Sequence, residues 1–229
     1  RMAWAAAAGW LLITLALSKA VSGWAYAALL APLILLAGPR LQRAALLVIG
    51  LVVLVYPALR GADLIPTDRV EAAAAAISEQ RAQSFRFRLD NEDILLDRAN
   101  QRPLFGWGGW GRNRIYDPQP GDDISVTDGS WIITAGAYGW VGYVAEYGLL
   151  TGPLLLIGLG RRAGFAAIAL GLVLAANLID LIPNSGLRPL TWLIAGSLAG
   201  TLAAQPRRRR IGAPAPTQAA LRSTAGAVR

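Results

Sequence analysis

Long apolar segments with almost no charge constrain this chain more than any other feature. Crossing a hydrocarbon core about 30 Å thick takes roughly 20 mostly apolar residues in a helix. The clearest such segments are 44–59 and 165–182, and the second carries Asp180 as its one charge. A soluble domain of 229 residues has too little interior to hide five or six such helices. The sequence therefore predicts an all-α, polytopic membrane protein with about six transmembrane helices.

The apolar segments and one polar stretch divide the chain into four predicted parts. Residues 1–60 hold three transmembrane helices, and 61–128 form a long polar loop with the candidate active site. An interfacial helix and three further transmembrane helices occupy 129–205, and 206–229 form a basic, disordered tail. Because the chain opens with an arginine and has no signal peptide, we expect further N-terminal helices of the same protein to precede it.

Short helices are predicted at 69–83 and 92–100 of the loop, the first after a Thr-Asp pair and the second after an Asp-Asn pair. The fourth span, 149–159, is short and should borrow from the segment before it. That preceding segment, 130–147, mixes aromatic residues with glycines and is expected to lie at the membrane interface.

The charge distribution predicts orientation in a membrane. The net charge is +8, yet residues 60–128 hold 9 Arg against 12 Asp plus Glu, while the rest holds 13 basic and 2 acidic residues. Basic clusters at helix ends, such as 207–210, favour the cytoplasmic side and leave the long loop on the opposite side. The sequence thus predicts a lipid bilayer as partner and no nucleic acid.

The chain contains neither cysteine nor histidine. Disulfides, Cys/His metal sites, thiol nucleophiles and imidazole bases are therefore excluded. Any catalysis would use carboxylates, arginines, tyrosines or hydroxyls, and no metal or other cofactor is predicted.

Three motifs of the loop carry a family resemblance: 84–89 (SFRFRL), 94–99 (ILLDRA) and 102–108 (RPLFGWG). A Ser-Lys turn at 17–20 precedes them, and an EYGLL segment at 146–150 follows. In this order and spacing they resemble the O-antigen ligase and polymerase family of bacterial inner-membrane proteins.

The resemblance implies transfer of a glycan from an undecaprenyl-diphosphate carrier to a saccharide or lipid A-core acceptor, without metal or nucleotide sugar. It places the long loop in the periplasm. Ligases of the family carry a histidine shortly before the Glu-x-Gly element, where this chain has Ala137 and Tyr138. Polymerase or exopolysaccharide chemistry is therefore favoured over ligation.

Loop arginines are the candidate ligands of the diphosphate, because guanidinium groups stay ionised and offer paired donors. Arg86 and Arg88 would share one face if their segment is extended. Arg98, Arg102, Arg112 and Arg114 are further candidates for this cluster. The alternative is that these side chains pair with loop carboxylates or lipid headgroups. Trp107 and Trp110 are either sugar-stacking rings or part of an interfacial aromatic belt.

A carboxylate must act as base if histidine is missing, provided that burial raises its pKa. Asp128 is the leading candidate, followed by Asp122 and Asp123. The alternative for Asp128 is an N-cap of the next helix.

Two other function classes stay open at this point. A transporter or channel subunit would need polar residues along several spans, whereas nearly all charge lies in the loop. A non-catalytic, truncated family relative could act as a scaffold.

The predicted orientation can be tested with single cysteines. Ala62→Cys should react with an impermeant thiol reagent in intact spheroplasts, and Ala213→Cys should react only after the cells are opened. Labelling of Ala213→Cys with protection of Ala62→Cys would reverse the orientation.

Overall fold

All regular secondary structure in the described part of the chain is helical. The computed structural model describes residues 2–18, 21–119 and 121–204. Its eight helices within those ranges are α1 (Met2–Leu17), α2 (Val21–Leu35), α3 (Pro39–Gly61), α4 (Thr67–Ile77), α5 (Glu79–Asn100), α6 (Ser130–Gly158), α7 (Phe165–Asp180) and α8 (Pro189–Ala203). The predicted all-α class is thereby confirmed. The predicted tail and the 207–210 cluster lie outside the described residues.

Two of the helices are long and apolar enough to cross a membrane. They are α3, with 23 residues, and α6, with 29 residues. The other apolar helices, α1, α2, α7 and α8, have 15 or 16 residues, which at 1.5 Å per residue gives only about 24 Å. Membrane-length helices are thus present, and the count of six spans stays a prediction.

Helix α6 is the centre of the bundle and packs against α3, α5, α7 and α8. Its Leu154 is fully buried together with Leu46 of α3 and Leu172 of α7. Small residues let the helices approach closely: a Cβ atom on Gly158 would lie 2.6 Å from Cβ of Leu47. Such close contact is the usual way in which apolar helices associate where lipid surrounds them.

The segment 130–147, predicted to lie at an interface, forms the first part of α6. Trp131, Tyr143 and Tyr147 are each only 1% exposed. The hydroxyl of Tyr143 donates a 2.8 Å hydrogen bond to the carbonyl oxygen of Val53 in α3. These rings are therefore core residues of the bundle. The interfacial position of the segment and the extent of the fourth span stay predictions.

The helices of the loop begin and end elsewhere than predicted. The break falls at Ser78, whose backbone is extended, and α5 then runs without interruption to Asn100. Asn91 does not start a helix, because its Nδ2 bonds back to the carbonyl oxygen of Phe87 at 2.8 Å within α5. The predicted helix start after the Asp-Asn pair was wrong, since an amide side chain inside a helix can satisfy itself in this way.

Helix α6 is broken at Gly139, where φ is 67° and ψ is −171°. This backbone conformation is essentially restricted to glycine. A Cβ atom at Gly139 would also lie 2.4 Å from the carbonyl carbon of Leu104. The break thus requires glycine both for its dihedral angles and for the space that it leaves.

The turn 103–108 fills this break with its own main chain. The amide nitrogens of Trp140 and Val141 donate to the carbonyl oxygens of Pro103, at 2.7 Å, and Leu104, at 3.2 Å. In return, the amides at positions 107 and 108 donate to the carbonyl oxygens at 136 and 137, at 2.9 and 2.8 Å. Buried peptide groups need such partners. The PLFGWG motif is therefore a docking element that joins the loop to α6.

This joint can be tested with alanine at two glycines. Gly139→Ala should lower the thermal unfolding midpoint in detergent, because the backbone conformation alone costs about 1–3 kcal/mol and the new methyl group overlaps the turn. Gly109→Ala is the matched control, since a Cβ there meets nothing within 4 Å. Equal unfolding midpoints for the two variants would contradict the proposed joint.

Candidate active site

Two residues predicted from the sequence, Arg88 and Asp128, meet on the loop side of the bundle. Nε of Arg88 in α5 lies 3.4 Å from Oδ2 of Asp128. Nη1 of Arg88 donates a 3.3 Å hydrogen bond to the carbonyl oxygen of Pro183, between α7 and α8. The side chains are 41% and 34% exposed. This ion pair is therefore within reach of a ligand from outside.

Buried Asn91 positions the segment that carries Asp128. Its Oδ1 accepts a 2.8 Å hydrogen bond from the amide nitrogen of Val126. Beyond Asp128, the amide of Ser130 donates to the carbonyl oxygen of Leu181 at 3.1 Å. The chain around Asp128 is thus fixed on one side by α5 and on the other by the end of α7.

Asp128 is not the cap of the following helix. The N-cap of α6 is Gly129, and no side chain among the described residues caps that helix with a hydrogen bond. Asp128 precedes the cap position by one residue, and its carboxylate pairs with Arg88 instead. The capping interpretation is therefore wrong.

Arg86 and Arg88 do not share a face. Their segment is helical rather than extended. In a helix, side chains two residues apart are separated by about 200° around the axis. Arg86 is exposed and pairs with Glu71 of α4. The structure thus brings Arg88 to Asp128 and holds Arg86 against α4.

Arg98 and Arg102 lie at the docked turn, over the ring of Trp107. Their guanidinium carbons are 3.4 and 4.3 Å from the ring centre. Nε1 of Trp107 donates a 2.8 Å hydrogen bond to the carbonyl oxygen of Arg98. This indole is therefore engaged in cation–π contacts and in holding the turn.

The remaining candidates stabilise the segment between the turn and α6. Nε of Arg112 donates to the carbonyl oxygen of Gly109 at 3.1 Å, and Nη1 of Arg114 lies 2.6 Å from Oδ2 of Asp123. Slight burial opposes the ionisation of Asp123, but hydrogen bonds from Arg114 and Ser125 outweigh it and lower the pKa of Asp123. Asp122 is exposed.

A cavity of about 480 Å³ lies beside this segment. Its lining is rich in aromatic and polar groups: Gly109, Trp110, Gly111, Asn113, Arg114, Tyr116, Thr127, Ile133, Ala137 and Tyr138. Trp110 is 98% exposed, so its ring is free to contact a ligand. Of the two tryptophans considered as sugar-stacking rings, Trp110 thus has an exposed ring, whereas Arg98 and Arg102 lie over the ring of Trp107.

A buried charge cluster next to Arg88 was missed by the sequence analysis. Arg60, at the end of α3, lies 2.5 Å from Asp93 and 3.7 Å from Glu92 of α5. It also approaches Asp63 at 3.6 Å. Arg60 and Glu92 are both buried. A buried cation of this kind has to be paired with carboxylates, and the pairing ties α5 to α3.

Glu92 has an unusual ionisation within this cluster. Burial raises the pKa of Glu92 to about 7, although the positive charge of Arg60 acts in the opposite direction. Desolvation therefore prevails over the nearest cation. A carboxyl group with this pKa exchanges protons near neutral pH.

Arg88 and Glu92 line the same cavity, which has a volume of about 280 Å³. Its other lining residues are largely apolar: Tyr56, Ile65, Thr67, Phe85, Leu89, Ile182 and Pro183. We call it the Arg88 cavity. The two charged residues are four positions apart, a spacing that places them on one helix face. This spacing would have linked them from the sequence if 79–100 had been recognised as a single helix.

The fold and the site define a helical protein with membrane-length helices and one charged loop, which carries an arginine–carboxylate pair beside an apolar cavity. More specifically, the chain belongs to the O-antigen ligase family. The family described as "O-Antigen ligase" matches residues 6–145, more than half of the chain, which confirms the resemblance drawn from the loop motifs. Curated proteins and solved structures gave no match.

Proposed function

We propose that this chain is a membrane glycan polymerase or ligase that transfers a glycan from an undecaprenyl-diphosphate carrier to a saccharide acceptor. It acts in O-antigen or exopolysaccharide assembly, at the inner membrane of a bacterium, with the loop in the periplasm. Family membership supports this class of function. The absence of histidine from the sequence favours polymerisation over ligation to lipid A-core.

The observation that carries the proposal is the contact of Asp128 with Arg88, the residue that lines the Arg88 cavity. A transfer from a lipid diphosphate requires a cation for the leaving group and a base for the acceptor hydroxyl. The chain supplies both charges side by side, next to an apolar wall formed by residues such as Phe85 and Leu89. A diphosphate attached to an isoprenoid has the same combination of charge and apolar chain.

Arg88 is the ligand of the diphosphate in this proposal. Its 3.4 Å contact with Asp128 is longer than the 2.7–2.9 Å of a tight charge-assisted bond. Exposed ion pairs of this kind contribute only about 0–1 kcal/mol. A diphosphate can therefore replace Asp128 as the partner of Arg88 at little cost.

Asp128 is the base in this proposal, with Asp122 and Asp123 as second candidates. Once the diphosphate has taken its partner, the Asp128 carboxylate accepts the proton of the acceptor hydroxyl. The acceptor oxygen then forms a bond to the anomeric carbon, and the bond from that carbon to the diphosphate oxygen breaks. Arg88 stabilises the negative charge that develops on the diphosphate.

The wider aromatic cavity is the proposed place of the saccharide. Indole and phenol rings pack against the apolar faces of sugars, and Trp110 and Tyr138 both present exposed rings there. Arg98, Arg102 and Arg112 act indirectly, because they hold the turn at whose end this cavity begins.

The role of Arg88 can be tested by substitution. Arg88→Ala should lower transfer roughly ten- to a hundredfold, since a charge-assisted bond contributes about 1.5–3 kcal/mol. Arg88→Lys should restore only part of it, because an ammonium group cannot reproduce the guanidinium fork. Arg86→Ala, which removes the pairing with Glu71, should change transfer less. Polymer length in a strain lacking the native gene is the measurement, and normal polymer from Arg88→Ala at wild-type protein level would refute the assignment.

The role of Asp128 requires a variant that keeps the shape of the side chain. Asp128→Asn should abolish transfer while protein level and unfolding midpoint stay normal, because the amide cannot take up a proton and no cap is lost. Asp97→Asn, at an exposed position of α5, is the control. Full polymer length in Asp128→Asn would exclude Asp128 as base and direct attention to Asp122 and Asp123.

A further inference from the structure

Glu92 has properties that the mechanism above does not use. Its residue surface is 7% exposed. The hydroxyl of Tyr56 and the indole of Trp131 interact with its carboxyl group, but neither has ordinary hydrogen-bond geometry to its Oε2. The nearest cation is Arg60, whose Nε lies 3.7 Å away, too far for a hydrogen bond. A buried carboxyl group with such poorly aligned partners is costly to keep ionised. Such a group needs an explanation beyond the packing of α5 against α3.

The position of Glu92 relates it to Arg88. One helical turn separates the two residues, and both line the Arg88 cavity. A diphosphate held by Arg88 would therefore lie beside the Glu92 carboxyl group, on the buried side. Asp128 approaches Arg88 from a different segment of the chain, the one that leads into α6.

We propose that Glu92 is the general acid of the site and donates its carboxyl proton to an oxygen of the departing diphosphate. The inference rests on the proposed glycan transfer. The acceptor hydroxyl gives its proton to Asp128 and bonds to the anomeric carbon. The bond between that carbon and the diphosphate oxygen breaks, its electron pair stays on that oxygen, and Glu92 protonates the leaving group. Solvent then removes a proton from Asp128 and returns one to Glu92.

The surroundings of Glu92 support this role. The charged and titratable groups that face it are Tyr56 and Arg60 from α3 and Arg88 and Asp93 from α5. The indole of Trp131 in α6 also faces it and, like Arg60, favours its ionised form. Among these influences burial is the largest, and it raises the pKa of Glu92 to about 7. The protonated form is therefore present below pH 7 and is lost as the pH rises through that value. Two carboxyl groups in different environments are a common arrangement for acid and base roles.

The alternative role of Glu92 is only to balance the charge of Arg60. Asp93 provides the matched control, because it lies next to Glu92 in the chain, contacts the same guanidinium at 2.5 Å and does not line the Arg88 cavity. Asp93→Asn removes a negative charge beside Arg60 and leaves the carboxyl group of Glu92 in place.

The test uses the purified protein in lipid vesicles, with lipid-linked glycan extracted from a strain that lacks the protein. The initial rate of undecaprenyl diphosphate release is followed between pH 5.5 and 9. Glu92→Gln should lower kcat about a hundredfold at pH 6, within the range of general acid catalysis, with KM for the donor little changed. The deficit should shrink above pH 7, where the wild type itself loses the proton. Asp93→Asn keeps an oxygen that can accept from Arg60 and should stay within about threefold of the wild type at pH 6 and below. Its rate should start to fall at a lower pH than that of the wild type, because the negative charge of Asp93 helps to raise the pKa of Glu92.

The outcomes separate this inference from the proposed function. Wild-type transfer that depends on Arg88, together with an unchanged rate and pH profile in Glu92→Gln, would overturn the role of Glu92 alone. If Glu92→Gln does not fold, the wild-type profile decides, and a kcat that does not fall between pH 6 and 8 overturns the role as well. Absence of transfer by the wild type would overturn the proposed function, and this inference with it.

Discussion

The site depends on the buried cation of Arg60. It lies where α3 ends and the loop begins, and the adjacent carboxylates Glu92 and Asp93 come from α5. Removing a guanidinium group from water costs several kcal/mol unless partners compensate it. Helix α5 therefore has one preferred position on the end of α3. Since Arg88 lies one turn before Glu92, its position is determined by the same contact.

Two further contacts complete the geometry, and each uses polar main-chain groups. Asn91 holds the segment before α6 through the amide of Val126, and the turn 103–108 is bonded into the break at Gly139. Neither contact involves the side chain of Arg88 or Asp128. Arg88 and Asp128 can thus meet a ligand while peptide groups and one buried amide keep the scaffold in place.

The sequence was informative about the class of fold and about individual residues, and less about their arrangement. Apolar segments predicted the helices because hydrophobic length is a local property. The meeting of Arg88 with Asp128 was not foreseen, because it requires α5, the start of α6 and the end of α7 to converge. The segment 84–89 was considered as extended, although its residues continue a helix that begins after Ser78. Glu92 was taken as a helix start, so its burial and its distance from Arg60 were missed. Burial depends on neighbours that are distant in the chain.

The break in α6 also bears on the rival function of transport. In many transporters a discontinuous helix leaves unpaired amide and carbonyl groups in the middle of the membrane, and the opposite dipole ends of the two halves bind the substrate or ion. In this chain the amides at Trp140 and Val141 and the carbonyl groups at Gly136 and Ala137 all bond to the turn 103–108. The partial charges of both half-helices are thereby neutralised by peptide groups of the same protein. Helix α6 is interrupted like the ion-binding helices of transporters, but its break serves here as a fixed attachment for the loop.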